Sequence, residues 1–231
     1  NDQIGALTVN TSLNDIEFKK SRYRTFGLNG ESTNKRLTLK TYVIKPSKSN
    51  GNKKSTDDLR IELDCALFND TILNNLSWTD NNKKKNGNLH MEAMVGRDSC
   101  DMVFMNAYIQ PDSIIHNDSI WYISGGYVSG NKNRINIDGL YLYNDSQYLR
   151  LNGNIGKSHE DTLSIKVNNL EVSSIMDLVK FRILKFNGNA TGEAKISSLL
   201  SAPNISGRFD VDSFKIDNGY LGKTDLRIGW D

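Results

Sequence analysis

Apolar and polar residues alternate along most of this chain, and that period of two constrains its fold more than any other feature. Arg134-Ile135-Asn136-Ile137-Asp138 alternates, as do Leu149-Arg150-Leu151, Leu163-Ser164-Ile165-Lys166-Val167 and Phe209-Asp210-Val211. The first half repeats the pattern in Leu37-Thr38-Leu39-Lys40 and Leu59-Arg60-Ile61-Glu62-Leu63, and Leu226-Arg227-Ile228-Gly229-Trp230 carries it to the end. Successive side chains of a strand point to opposite faces, so each run builds a strand with one dry face. Asn-Gly, Asn-Asp-Ser, Gly-Lys-Ser-His-Glu-Asp and Gly-Asn-Lys-Asn clusters lie between the runs and supply turns. Their short spacing predicts an all-β chain of about fourteen to sixteen strands, joined mostly by hairpins.

One segment departs from this pattern. Ser173 is a suitable N-cap, and Ile175, Leu178 and Val179 fall on one helical face, which predicts a two-turn helix over 173–180 that plugs one end of the sheet. The Ser-, Asn-, Lys- and Gly-rich stretch from Ser47 to Asp58 reads as a long hairpin loop rather than a linker, so residues 1–231 are expected to form a single elongated β domain. Leu28-Asn29-Gly30, Leu151-Asn152-Gly153 and Phe186-Asn187-Gly188 repeat an apolar-Asn-Gly triplet beside the alternation, which suits an antiparallel-rich sheet that curls along its length. The chain opens in mid-strand with Asn-Asp-Gln-Ile-Gly-Ala-Leu-Thr-Val, as an excised segment of a longer protein would.

Hydrophobic residues are 37% of the total, lean for a closed sandwich of 231 residues but sufficient for an elongated sheet with one dry face. A net charge of +2 gives no field that would favour nucleic acid. The Lys83-Lys84-Lys85 and Lys53-Lys54 runs sit among turn residues and read as solvated loop tips. No apolar run approaches the ~18 residues of a membrane helix. Cys65 and Cys100 match no metal-ligand spacing; they pair in an oxidising compartment or remain as free thiols in a β core.

The one constellation that tempts a catalytic reading lies in IQPDSIIHNDSIWYI, residues 109–123, where His116 stands close to Ser113 and Asp118. Residues so near in sequence rarely reach nucleophile, base and orienter geometry, and no Gly-x-Ser-x-Gly elbow accompanies them. Pro111 reads instead as a strand end, Asp112 to Ser119 as a connection, and Trp121-Tyr122-Ile123 as the next strand. His90 alternates onto the polar side of a strand and His159 lies in a turn; neither has a second ligand at zinc spacing. Gly125-Gly126 and Gly153 to Gly156 precede no helix and cannot cradle a phosphate as a P-loop does. Trp78, Trp121, Tyr141, Tyr143 and Tyr148 read as strand residues, a carbohydrate platform being the alternative. No enzyme activity and no cofactor are expected.

Longer stretches resemble a known family. Gln110-Pro111-Asp112-Ser113-Ile114, Asn117-Asp118-Ser119-Ile120-Trp121-Tyr122-Ile123, Asn136-Ile137-Asp138-Gly139-Leu140-Tyr141-Leu142 and Gln147-Tyr148-Leu149-Arg150-Leu151-Asn152-Gly153-Asn154-Ile155 follow one another in an order that resembles the TamB (translocation and assembly module) branch of the AsmA-like proteins. Asp161 to Val172, the Phe186-Asn187-Gly188, Pro203-Asn204-Ile205-Ser206-Gly207 and Leu221-Gly222 segments, and Ala66 to Ile72 with Leu76-Ser77-Trp78 are similar to the same family, so the likeness covers nearly the whole chain. It implies a periplasmic segment of a Gram-negative envelope protein that is anchored in the inner membrane. It further implies a taco-like groove along which phospholipid acyl chains slide, and a BamA-like barrel partner in the outer membrane met through the full-length chain. Groove-lining residues would come from the alternating sets Ile135 and Ile137, Leu149 and Leu151, and Leu163, Ile165 and Val167; the same residues would equally serve an ordinary core.

Asp-Ser or Asp-Thr precedes an apolar residue at Thr71, Ser113, Ser119 and Thr162, which looks like the O-glycosylation acceptor pattern of some Gram-negative envelope proteins; chance recurrence in a turn-rich chain is the alternative. Two other classes compete with the lipid conduit. A structural or adhesive β scaffold of the envelope would have a closed core, and a glycan-binding domain would show coplanar exposed aromatics beside paired carboxylates.

Overall fold

In the computed structural model, residues 7–18, 21–33, 36–46, 58–82, 84–116, 119–173 and 185–230 are described. They are almost entirely antiparallel β-structure, as the alternation requires, and form two compact units, Asn1–Ile123 and Ser124–Asp231. The first holds β1 (Leu7–Phe18), β2 (Ser21–Thr33), β3 (Arg36–Lys45), β4 (Leu59–Phe68), β5 (Thr71–Asp80), β6 (Lys85–Arg97), β7 (Val103–Ile109), β8 (Asp112–His116) and β9 (Ser119–Ile123). The second holds β10 (Gly126–Asn131), β11 (Ile135–Asn144), β12 (Gln147–Ile155), β13 (Thr162–Glu171), β14 (Phe186–Ser197), β15 (Asn204–Ile216) and β16 (Gly219–Trp230).

Chain order and spatial order nearly coincide. In the first unit β1 to β6 pair consecutively; β7 then pairs with Met91 to Arg97 of β6, β8 pairs with Lys85 to Gly87 of the same strand, and β9 pairs with β8. In the second unit β10 to β16 form an unbroken meander. Each unit is therefore one sheet, and no second sheet packs on it among the described residues. Only eight apolar side chains among those residues are buried, namely Ala93, Ala107, Leu163, Val167, Val172, Ala190, Val211 and Phe214. A closed sandwich of two packed sheets would bury its whole inner face.

The strands of the second unit are repeatedly bulged. The register shifts between Ile137 and Leu140, between Val167 and Leu170, between Asn187 and Asn189, and between Val211 and Phe214. Residues with left-handed backbone sit at these steps: Gly139 at φ 73°, Asn169 at 49° and Ser213 at 54°. A bulge inserts one residue, bends the strand and increases its twist. Beside the bulges of β13 to β15 lies the densest packing of the unit, where Val172, Ala190, Val211 and Phe214 meet Phe186, Phe209, Ile216 and Leu226. The Phe186 and Phe214 rings stack there, with centroids 6.1 Å apart.

Three expectations need comment. Asp112 to Ser119 is not a connection: β8 and β9 pair across it, with Ile114 opposite Trp121 and Ile115 opposite Ile120. Ile114, Ile115 and Ile120 favour extended backbone, and that preference outweighs the Asp-Ser turn signals. Val172 and Ser173 begin a helical turn, but 174–180, the rest of the expected helix, lie outside the described residues, as do 47–57 of the expected hairpin loop. Both cysteines are free: Cys65 is half-buried on β4, while Cys100 is exposed in the turn after β6 and belongs to no core.

Candidate functional site

Register, rather than any pocket, assembles the most extensive candidate site. In the second unit Leu142, Leu149, Val167, Gly192, Phe209 and Leu226 are successive cross-strand partners, and so form one row across the sheet from β11 to β16. Leu140, Leu151, Ile165, Ala194, Gly207 and Ile228 form the next row, and Ile137, Gly153, Leu163, Ile196, Ile205 and Trp230 the third. None of these rows contains a charged residue. Strands lie about 4.8 Å apart, so each row runs about 24 Å. Its members are buried or half-buried as far as β15, and exposure rises at β16, where Ile228 is 42% and Trp230 69% exposed.

The opposite face is a ladder of charge. Tyr141, Arg150, Lys166, Glu193, Arg208 and Arg227 occupy the intervening row, and all but Tyr141 are exposed. Lys166 pairs with Glu193 at 3.4 Å, and Arg208 donates to Asp225 at 2.7 Å. That hydrogen bond holds the Asp225 carboxyl below its ordinary value and raises the Arg208 guanidinium above its own.

The first unit repeats the arrangement on a wider sheet. Leu13, Phe26, Val43, Ile61, Trp78, Gly87, Ile114 and Trp121 form a continuous row from β1 to β9. Gly87 is required in this row by close approach: an added Cβ would lie 2.5 Å from the Trp78 ring and 2.7 Å from Ile114. Leu28, Leu63, Leu76 and Leu89 lie in the adjacent row with Thr11 and Thr41. Cys65 sits one row further on the same face, where burial pushes its thiol pKa up.

All seven groove candidates, Ile135, Ile137, Leu149, Leu151, Leu163, Ile165 and Val167, share one face of the second unit. The alternation did not include Leu140 and Leu142, which join that face only because the bulge at Gly139 restores their side. A glycine at the break in alternation was the available signal. Of the four Asp-Ser and Asp-Thr positions, Ser113 and Ser119 are exposed and Thr71 is half-buried; Thr162 donates its hydroxyl to the His159 carbonyl at 3.3 Å.

The catalytic alternatives do not assemble. Ser113 and His116 stand three residues apart on the extended β8, about 10 Å along the strand, and Asp118 lies outside the described residues. His90 instead meets Asp112, Nδ1 to Oδ2, at 2.7 Å. Tyr141 and Tyr143 stack face to face at 5.0 Å, and Tyr148 tilts against Tyr141, so these rings cover one another rather than forming a flat sugar platform. Among the described residues no group of three or more His, Cys, Asp or Glu side chains could hold a metal ion. No family model, curated protein or solved structure matches this chain.

Proposed function

We propose that this chain is a periplasmic segment of a TamB/AsmA-like protein and that the apolar faces of its sheets carry phospholipid acyl chains toward the outer membrane. The observation that supports this reading is the set of unbroken, half-buried apolar rows on single sheets that no second sheet covers among the described residues. A ~30 Å hydrocarbon core holds two leaflets, so one acyl chain spans about 15 Å, within the about 24 Å that a row offers. Each methylene moved from water onto such a surface gains up to about 0.8 kcal/mol. Rows without charge present no fixed anchor for a head group, so a chain can slide along them. In this reading the full-length protein is anchored in the inner membrane, meets a BamA-like barrel at its far end, and carries out no chemistry of its own in this segment.

Photocrosslinking tests the reading. A photoreactive residue placed at Ile137 or Ile165 is expected to give lipid adducts in the native envelope, while the same residue at Ser164 or Lys166, on the opposite face, gives none. No lipid adduct at Ile137, Ile165, Leu149 and Leu151 would remove the conduit and leave the structural scaffold.

A further inference from the structure

The polar face of the first unit carries a crevice that the apolar rows do not explain. It has a volume of about 370 Å³, within the usual range for small-ligand sites. Its wall on β3 is Arg36, Thr38 and Lys40; its floor is Ala66 and Leu73; Asp64, Asn75 and His90 close one side. The strand registers fix this grid. Lys40, Asp64, Asn75 and His90 are successive cross-strand partners, and Thr38, Ala66 and Leu73 form the neighbouring row.

Three features of the grid are unsatisfied. Arg36 and Lys40 are exposed and make no ion pair among the described residues, although Asp64 lies directly opposite Lys40. Leu73 is 50% exposed, one row from Phe68 and Met94, which are also exposed on this face. The Asn75 Oδ1 atom is buried without a hydrogen-bond partner, a costly condition for a polar atom. Each deficiency specifies part of a ligand. Two cations about 13 Å apart along one strand suit a doubly charged phosphate monoester, which a guanidinium grips with two parallel hydrogen bonds; Thr38, between them, donates its hydroxyl to the Glu31 carbonyl at 3.5 Å. Ala66 and Leu73 suit a short hydrocarbon body lying across β4 and β5. A hydroxyl, being both donor and acceptor, satisfies Asn75 in either amide orientation. Asp64 stands between Lys40 and Asn75 in one row and Glu31 stands opposite Thr38, so the phosphate is held toward Arg36, away from the Asn75 end.

We infer that this crevice binds an amphiphilic phosphate monoester, its phosphate between Arg36 and Lys40, its hydrocarbon over Ala66 and Leu73 and a hydroxyl at Asn75. The site does not rest on the lipid reading, because it occupies the opposite face of the sheet.

Titration of the 231-residue chain with n-hexyl phosphate, followed by calorimetry or amide chemical shifts, tests this. Saturable binding is expected with a dissociation constant on the order of 1 mM, tighter than inorganic phosphate, and tighter again for 6-hydroxyhexyl phosphate. Arg36→Gln with Lys40→Gln should weaken it at least about tenfold, and Leu73→Ser should erase the advantage over inorganic phosphate. These are exposed positions, and a far-ultraviolet circular dichroism spectrum confirms that the variants keep their strands. Vesicles of phosphatidylcholine with and without phosphatidic acid separate two sources of the same chemistry. Sedimentation that requires both phosphatidic acid and the two cations marks a lipid head group, and its absence beside hexyl phosphate binding marks a free monoester. No saturable binding of hexyl phosphate, or binding unchanged by the double substitution, overturns the inference. Lipid adducts at Ile137 and Ile165 should be the same in the double variant, so either proposal can fail without the other.

Discussion

Deleting Gly139 is the sharpest perturbation of the apolar face. Leu140 stands opposite Leu151 and Leu142 opposite Leu149 only because the register shifts between Ile137 and Leu140. Without the extra residue, β11 must move one side of the former bulge by a single position, and a one-residue slip turns every side chain on that side to the other face. Leu140 and Leu142 would then join the charged face, while Tyr141 and Tyr143 would be driven into the apolar rows and Tyr141 would lose its contact with Tyr148. Full burial of a leucine side chain contributes about 1.5–3 kcal/mol; these two are half-buried, so their loss costs about 1 kcal/mol each. The aromatic contact adds about 0.5–1.5 kcal/mol, which brings the deletion to about 2–4 kcal/mol. Gly139→Ala separates this from backbone strain. Its φ of 73° disfavours any residue with a Cβ, yet an added Cβ meets nothing within 4 Å. Alanine should therefore cost only about 1–2 kcal/mol. Urea unfolding, with the slope checked for constancy, measures both. A deletion no more destabilising than the alanine substitution would show that the bulge does not set the face, and the row assignment would fall with it.

Gly87→Val should destabilise by about 1–3 kcal/mol in the same assay, because its Cβ collides with Trp78 and Ile114. Asp161 is 7% exposed, accepts the Ser158 amide at 3.2 Å and pairs with the Arg134 guanidinium at 2.8 Å, so Asp161→Ala should cost about 1–3 kcal/mol; Arg134→Ala, at a largely exposed partner, should cost less. The Arg208 hydrogen bond depresses the Asp225 carboxyl in the folded state, so its contribution is present above the unfolded value near 4 and is lost as pH falls through the lower folded value. Asp225→Asn should remove that acid-side slope from a pH series of melting temperatures. Mass spectrometry after brief treatment with a thiol reagent at pH 8 should find Cys100 labelled before Cys65, which is half-buried with its thiol pKa pushed up; equal rates would contradict the placement of Cys65.

Much of the architecture was legible because alternation is a direct record of which side chains share a face. Ile135 and Ile137, and Leu163, Ile165 and Val167, needed no tertiary information to be grouped, and register then joined them to Leu149 and Leu151. Alternation fails where backbone steps out of period. Val167 to Leu170 and Val211 to Phe214 are spaced by three, so period-two reading assigns their second members to the wrong face; Asn169 and Ser213, with left-handed backbone, absorb the extra residue. Ser213 gave no warning, since serine rarely marks a left-handed position, whereas Gly139 did. Trp121 to Ile123 of β9 was legible as a strand, but β8 was not: Asp112, Ser113, Asn117, Asp118 and Ser119 mask the strand preference of Ile114 and Ile115 with turn signals. The crevice on the polar face was not legible at all, because Arg36, Lys40, Leu73 and Asn75 are brought together across β3 to β5 by pairing that no local pattern encodes.

The two faces of the second unit also explain why the apolar rows are poor candidates for an ordinary core. A core residue is silenced by being surrounded on all sides, and Val211, wholly inaccessible beside the bulges, is such a residue. Leu149, Leu151 and Ile165 are not: they are half-buried within their own sheet, and no second sheet of the unit completes their burial among the described residues. Exposed apolar surface in contiguous rows is unfavourable in water and is normally retained where something covers it. Row length, absence of charge and continuity from β11 to β16 fit a long, featureless occupant better than a folded partner, whose interface would carry polar groups fixing its orientation. On this argument the discriminating substitution is a charge placed within a row, Ile165→Lys, against the same charge moved to an edge, Ile228→Lys, where the side chain is already 42% exposed. Both are expected to fold, since neither position is fully buried. The central lysine should abolish lipid adducts from Ile137, while the edge lysine leaves most of them; equal adducts in both variants would mean that acyl chains do not cross the centre of the sheet.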